Sequence, residues 1–91
     1  MKIQSSHQHV LVTGASSGIG LAIAQAWSAI GANVIGLDRK APVEGLDGLE
    51  VDLTDVAALQ KGIRDAAEHL GNRIDVLVNC AGIMIEETLQ D

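Results

Sequence analysis

Apolar and polar residues along this chain change their period several times, and each change marks an element boundary. His9 to Thr13 (HVLVT) is a short, nearly continuous apolar run that stops at Gly14, the pattern of a strand buried on both faces. From Ile19 the apolar residues Ile19, Ile23, Ala26, Trp27 and Ile30 recur at helical spacing, and Gly31 closes the run. This predicts a helix with that stripe, Trp27 included, turned to the core. Asn33 to Asp38 (NVIGLD) reads as a second strand, followed by a Pro- and Gly-bearing loop from Arg39 to Gly48. Leu49 to Asp52 reads as a short third strand. Thr54 or Asp55 can then cap a helix with the stripe Val56, Leu59, Ile63, Ala66, Ala67 and Leu70, closed by Gly71. Ile74 to Asn79 (IDVLVN) is a fourth strand, Cys80-Ala81-Gly82 a turn, and a further helix begins near Glu86.

Strands alternating with helices at this spacing predict βαβ units, and hence an α/β fold with a parallel sheet and right-handed crossovers. The expectation is a Rossmann-like sheet of about four strands in one dinucleotide-binding domain spanning residues 1–91, with residues 1–8 a flexible leader. Repeats, low-complexity tracts and internal linkers are absent.

Composition narrows the function classes. The 91 residues are 47% hydrophobic with a single aromatic, Trp27, so the core must be aliphatic and alanine-rich. A formal charge of −6 argues against nucleic acid or an anionic membrane surface as partner, since both select a basic face. A phosphate ligand remains open, because backbone N–H groups hold phosphate without lysine. Cys80 is the only cysteine, so no disulfide framework can form within the chain. The leader through His9 has no apolar h-region, and no stretch reaches the roughly 20 apolar residues of a membrane span. These features together predict a cytoplasmic protein. His7 and His9 lack a third ligand or fixing scaffold, so no metal site is expected.

The chemistry concentrates where the first strand meets the first helix, at Thr13-Gly14-Ala15-Ser16-Ser17-Gly18-Ile19-Gly20. Gly14 lets the chain leave the strand in a tight turn. Gly18 removes a Cβ where a pyrophosphate must approach the backbone, and Gly20 lets the helix sit close to the sheet. The free N–H groups and positive dipole end of that helix then face the phosphates, with Ser16 and Ser17 adding hydroxyl donors. A plain strand–helix turn with three steric glycines is the competing reading; a P-loop is excluded by the absence of Gly-Lys-Ser/Thr. Asp38 follows Gly20 by 18 residues at the end of the second strand, where a dinucleotide site places an acid to accept the adenosine ribose hydroxyls. Its charge would repel the 2′-phosphate of NADP, whereas the adjacent Arg39 would attract it. Asp38 in the strand-end position favours NAD.

Taken together, Thr13-Gly14-x-x-x-Gly18-x-Gly20, Asp38, Asp52-Leu53 and Asn79-Cys80-Ala81-Gly82 resemble the short-chain dehydrogenases/reductases, in the branch with TGxxxGxG spacing. The resemblance covers nearly the whole chain, from about His9 to Gly82. It implies that Asp52 and Leu53 border the adenine ring, with the Asp52 side chain bonded to its amino group. It also implies that Asn79 sits beside the adenosine ribose, and that Ala81-Gly82 let the backbone pass close to the cofactor. Many relatives have Asn-Asn-Ala-Gly where this chain has Cys80, which reads as a small buried hydrophobe. The cofactor-binding set is therefore Gly14, Ala15, Ser16, Ser17, Gly18, Ile19, Gly20, Asp38, Asp52, Leu53, Asn79, Ala81 and Gly82.

The resemblance further implies a catalytic Ser and a Tyr-x-x-x-Lys pair. This sequence has no Tyr, and its lysines are Lys2, Lys40 and Lys61 alone. Relatives run to roughly 250 residues as one domain. The leading expectation is the N-terminal cofactor-binding portion of an NAD(P)-dependent oxidoreductase, whose full-length relatives move hydride to or from a carbonyl or alcohol. The alternatives are a non-catalytic dinucleotide-binding module and an inactive fragment that associates through an open sheet edge. The identity of the substrate is not encoded in these residues.

Overall fold

The computed structural model describes residues 8–16, 18–40 and 43–80. Residues 1–7, Ser17, Ala81, Gly82 and the helix expected near Glu86 lie outside that set. Six elements follow in chain order: β1 (His9–Thr13), α1 (Gly18–Ala29), β2 (Asn33–Asp38), β3 (Asp47–Glu50), α2 (Val56–His69) and β4 (Val76–Asn79). The four strands form one parallel sheet in the order β3-β2-β1-β4. This is the Rossmann-like α/β arrangement that the alternation predicts.

Period-two alternation divides the core between the two faces of the sheet. Leu11, Ile35 and Leu37 point to one face, where they pack with Val51 and with Leu59, Ala66 and Leu70. Val10 and Val12 point to the other, against Ala15 and Ala24, with Trp27, Val34, Val76 and Val78 partly buried around them. β1 is the centre of both clusters; its Val10, Leu11 and Val12 are at most 1% exposed, as a strand with a helix on each side must be.

β1 and β2 occupy the expected residues, but three features depart from the sequence pattern. β3 is Asp47–Glu50 rather than Leu49 to Asp52. Its register pairs Ile35 with Asp47 and Asp38 with Glu50, so the ladder begins two residues early; Asp52 has already turned away to bond Thr54. β4 starts at Val76 instead of Ile74; just before it, Asp75 donates its N–H to the His9 carbonyl and accepts the His9 N–H on its carboxylate.

The third departure is the buried face of α1. Ile19 is 75% and Ile30 53% exposed, and Ala26 is exposed too, while Gly20 and Ala24 are buried and Trp27 is half-buried. Close approach decides this, not side-chain size. A Cβ on Gly20 would overlap the Gly14 carbonyl oxygen and lie 2.7 Å from its carbon. The helix therefore meets the β1–α1 turn through its smallest residues, Ile23 stays half-buried, and Ile19 and Ile30 are left exposed.

α2 follows its stripe more closely. Leu59, Ala66 and Leu70 are buried, and Gly62 joins them where a Cβ would sit 2.8 Å from the Val51 side chain. Val56, at the first turn, is exposed. Of the two capping candidates, Asp55 is the cap: its carboxylate accepts the Ala58 N–H at 3.1 Å. At the other end Gly71 takes a left-handed φ of 79° and ends the helix.

Candidate functional site

A parallel sheet brings the carboxyl ends of all its strands to one edge. Here β2 and β3 lie on one side of β1 and β4 on the other, so the strand order reverses between β1 and β4. Ligands of open α/β sheets bind outside the strand ends at such a point. The turn after β1, Asp38 at the end of β2, Asp52-Leu53 after β3 and Asn79 at the end of β4 all meet at this edge.

The turn is shaped by two left-handed glycines, Gly14 with φ 69° and Gly18 with φ 60°. Among the described residues, a Cβ built on Gly18 would meet no atom within 4 Å, so it would stand in open space there. Ile19, next in the chain, is exposed on the same surface, while Ala15 is buried in the α1-side core. Gly14 is tied to β2 by its N–H, which donates to the Leu37 carbonyl at 2.8 Å.

Asp38 reaches back to this turn. One carboxylate oxygen accepts the Ser16 N–H at 3.0 Å and the other accepts the Lys40 N–H at 3.1 Å. The Ser16 hydroxyl donates to the Lys40 carbonyl at 3.3 Å. Each Asp38 oxygen has a further lone pair beyond these contacts, as an ionised carboxylate offers about four acceptor sites.

Asp52 is exposed and held by Thr54, whose hydroxyl and N–H both donate to the same Asp52 oxygen, at 2.6 and 3.0 Å. The Thr54 hydroxyl, then its N–H, hold the Asp52 carboxyl below the usual carboxylate range, and the Arg39 charge acts in the same sense. Asp52 thus starts the approach to α2 and keeps one oxygen outside that turn. Leu53 packs against the α2-side core and is half-buried.

Thr13 opens the glycine motif, but the sequence assigned it no role in the site. Its side chain is fully buried, and its hydroxyl accepts the Cys80 N–H at 3.1 Å. The Asn79 Oδ1 and the Val78 carbonyl lie 3.3 and 3.4 Å from that hydroxyl, within its donating range. Thr13 therefore links the end of β1 to the end of β4. The detectable signal was a hydroxyl at the last position of an otherwise apolar buried strand. Cys80 itself is half-buried, its Cβ 3.3 Å from a Cβ built on Gly20.

Residues 8–91 match the family model described as short chain dehydrogenase. The chain belongs to this family. The coniferyl-alcohol dehydrogenase of Pseudomonas sp. (strain HR199 / DSM 7063) is 39% identical over 82 residues, a match covering 89% of this chain and 31% of that protein. Among solved structures, the ligand-free aldohexose dehydrogenase of Thermoplasma acidophilum superposes with a TM-score of 0.75 at 42% identity, over 84% of this chain and 30% of its own. A short-chain dehydrogenase from Leptospira borgpetersenii, solved with bound NAD+, gives a TM-score of 0.71 at 28% identity over 91% of this chain and 35% of its own. The chain thus spans about a third of the length of the relatives it matches. Its family is an oxidoreductase family whose members bind NAD or NADP. Among the described residues no helix is long and apolar enough to cross a membrane.

Proposed function

We propose that this chain forms the adenosine- and pyrophosphate-binding portion of a short-chain dehydrogenase that uses NAD. The observation that carries this reading is the Asp38 carboxylate at the end of β2, 3.0 Å from the backbone of the glycine turn. A ribose with vicinal hydroxyls suits that carboxylate, whereas a 2′-phosphate would bring two like charges together.

The residues fit the cofactor. Gly18 leaves open space where a Cβ would stand, and Gly20 lets the N-terminus of α1 come up under the turn. The first N–H groups of α1 are the natural donors to a pyrophosphate. Asp52 and Leu53 would border the adenine, and Asn79 with Ala81-Gly82 would lie along the adenosine ribose. Ser17 would add a hydroxyl donor. When bound, the nicotinamide supplies hydride exchange with a carbonyl or alcohol carbon. The residues described here bind and orient; the proton-transferring tyrosine implied by the family has no counterpart in this sequence.

Calorimetric titration with NADH and NADPH, beside a dehydrogenase assay, tests this reading. Tighter binding of NADH supports it, and binding without turnover assigns this segment the role of cofactor seat. Equal or tighter binding of NADPH would remove Asp38 as the selecting group. Among the described residues β4 is an edge strand, whose open backbone supports pairing with a further strand or a second copy.

A further inference from the structure

The turn after β1 and the loop after β2 form one hydrogen-bonded unit. Gly14 N–H is held by the Leu37 carbonyl at 2.8 Å, Ser16 N–H by Asp38 at 3.0 Å, and the Ser16 hydroxyl by the Lys40 carbonyl at 3.3 Å. Lys40 N–H closes the ring on the second Asp38 oxygen at 3.1 Å. The Asp38 carboxylate is the side chain at the centre of this unit, and both of these bonds run to backbone of the chain itself.

We infer that Asp38 is a positioning residue for the glycine turn, fixing the Ser16 peptide before the dinucleotide arrives, in addition to receiving the adenosine ribose. The inference rests on the NAD reading only for the identity of the ligand. A charge-assisted bond from a half-buried carboxylate to the Ser16 N–H sets the plane of the peptide joining Ala15 to Ser16. It thereby sets the backbone of the turn from Gly14 to Ser16. Ordering that backbone in the free protein removes an entropic cost from binding. A substitution at Asp38 therefore acts at two places: on the ribose directly, and on the pyrophosphate through the turn.

The two effects separate with a probe that removes the ribose hydroxyls, the NAD analogue whose adenosine ribose is 2′,3′-dideoxy. Asp38→Ala removes the acceptor for Ser16, while Asp38→Asn keeps one acceptor oxygen and serves as the rescue variant. In the free ¹⁵N-labelled protein, Asp38→Ala is expected to speed amide hydrogen exchange at Ser16 and Lys40 by about tenfold, the loss of one net hydrogen bond. The amides of Val10 to Thr13 should exchange as before, which verifies the fold. Asp38→Asn should retain protection at Ser16. For the dideoxy analogue, Asp38→Ala should weaken binding roughly three- to tenfold and Asp38→Asn by less than about twofold. Unchanged Ser16 exchange in Asp38→Ala, or equal analogue affinity in that variant and the parent chain, overturns the inference. If the parent chain binds neither NAD nor the analogue, the cofactor reading fails, and amide exchange alone decides whether Asp38 holds the turn.

Discussion

Gly20→Ala tests the contact on which the placement of the glycine turn depends. The added Cβ would overlap the Gly14 carbonyl oxygen, lie 2.7 Å from the Gly14 carbon and stand 3.3 Å from the Cys80 Cβ. Two of these three neighbours are backbone, so relief requires moving α1 or the turn rather than rotating a side chain. Inserting one carbon into a packed contact costs about 1–3 kcal/mol, and a backbone obstacle places this case at the upper end. Alanine returns about 1 kcal/mol of helix propensity. The expected net loss is about 2 kcal/mol, or roughly 10 °C in melting temperature for a domain of this size. Gly18→Ala is the control. Its Cβ would meet nothing within 4 Å, but φ is +60°, so the cost is conformational, about 1–2 kcal/mol. Urea denaturation followed by circular dichroism reads both variants. A Gly20→Ala protein as stable as its parent, or more stable, would refute the close approach of α1 to the turn.

Other outcomes follow from single contacts. Thr13→Val should destabilise by about 1–3 kcal/mol, because the Cys80 N–H loses its acceptor in a part-buried position; an unchanged urea midpoint would deny Thr13 its linking role. The His9 N–H, and secondarily the Arg73 charge, hold the Asp75 carboxyl below its ordinary value. The stability it contributes is complete above a pH of about 4 and is lost as pH falls through the depressed folded value, where the unfolded chain is already protonated. Asp75→Asn should therefore lower stability at neutral pH and flatten its fall below pH of about 4, and parallel curves for the two proteins would count against this. Leu77→Lys places a charge on the β4 edge and should reduce self-association in sedimentation velocity; identical profiles would remove that strand from the contact.

Much of the frame was legible because its signals are local. β1 stops before Gly14 and β2 ends at Asp38 because those residues terminate apolar runs, and Asp55 and Gly71 bracket α2 by side-chain and backbone preferences that need no partner. The spacing from Gly14 to Asp38 likewise followed from a strand, a turn and a helix of ordinary length. The face of α1 was illegible for the opposite reason. Its residues Gly18–Ala29 include no charge to mark a solvent side, so periodicity alone favoured the isoleucines. Burial went instead to Gly20 and Ala24, where helix and turn backbones meet.

The sequence by itself determined the α/β class, the order of the elements, and the residue types suited to a pyrophosphate and a ribose. Tertiary structure decided the contacts between them. Parallel pairing of β1 with β2 and β4 carried Ser16 to Asp38 and Thr13 to Cys80, across 22 and 67 residues of sequence. Glycine spacing encodes where a backbone can turn. Which N–H meets which carboxylate depends on strand order and register, and those exist only once the sheet has formed.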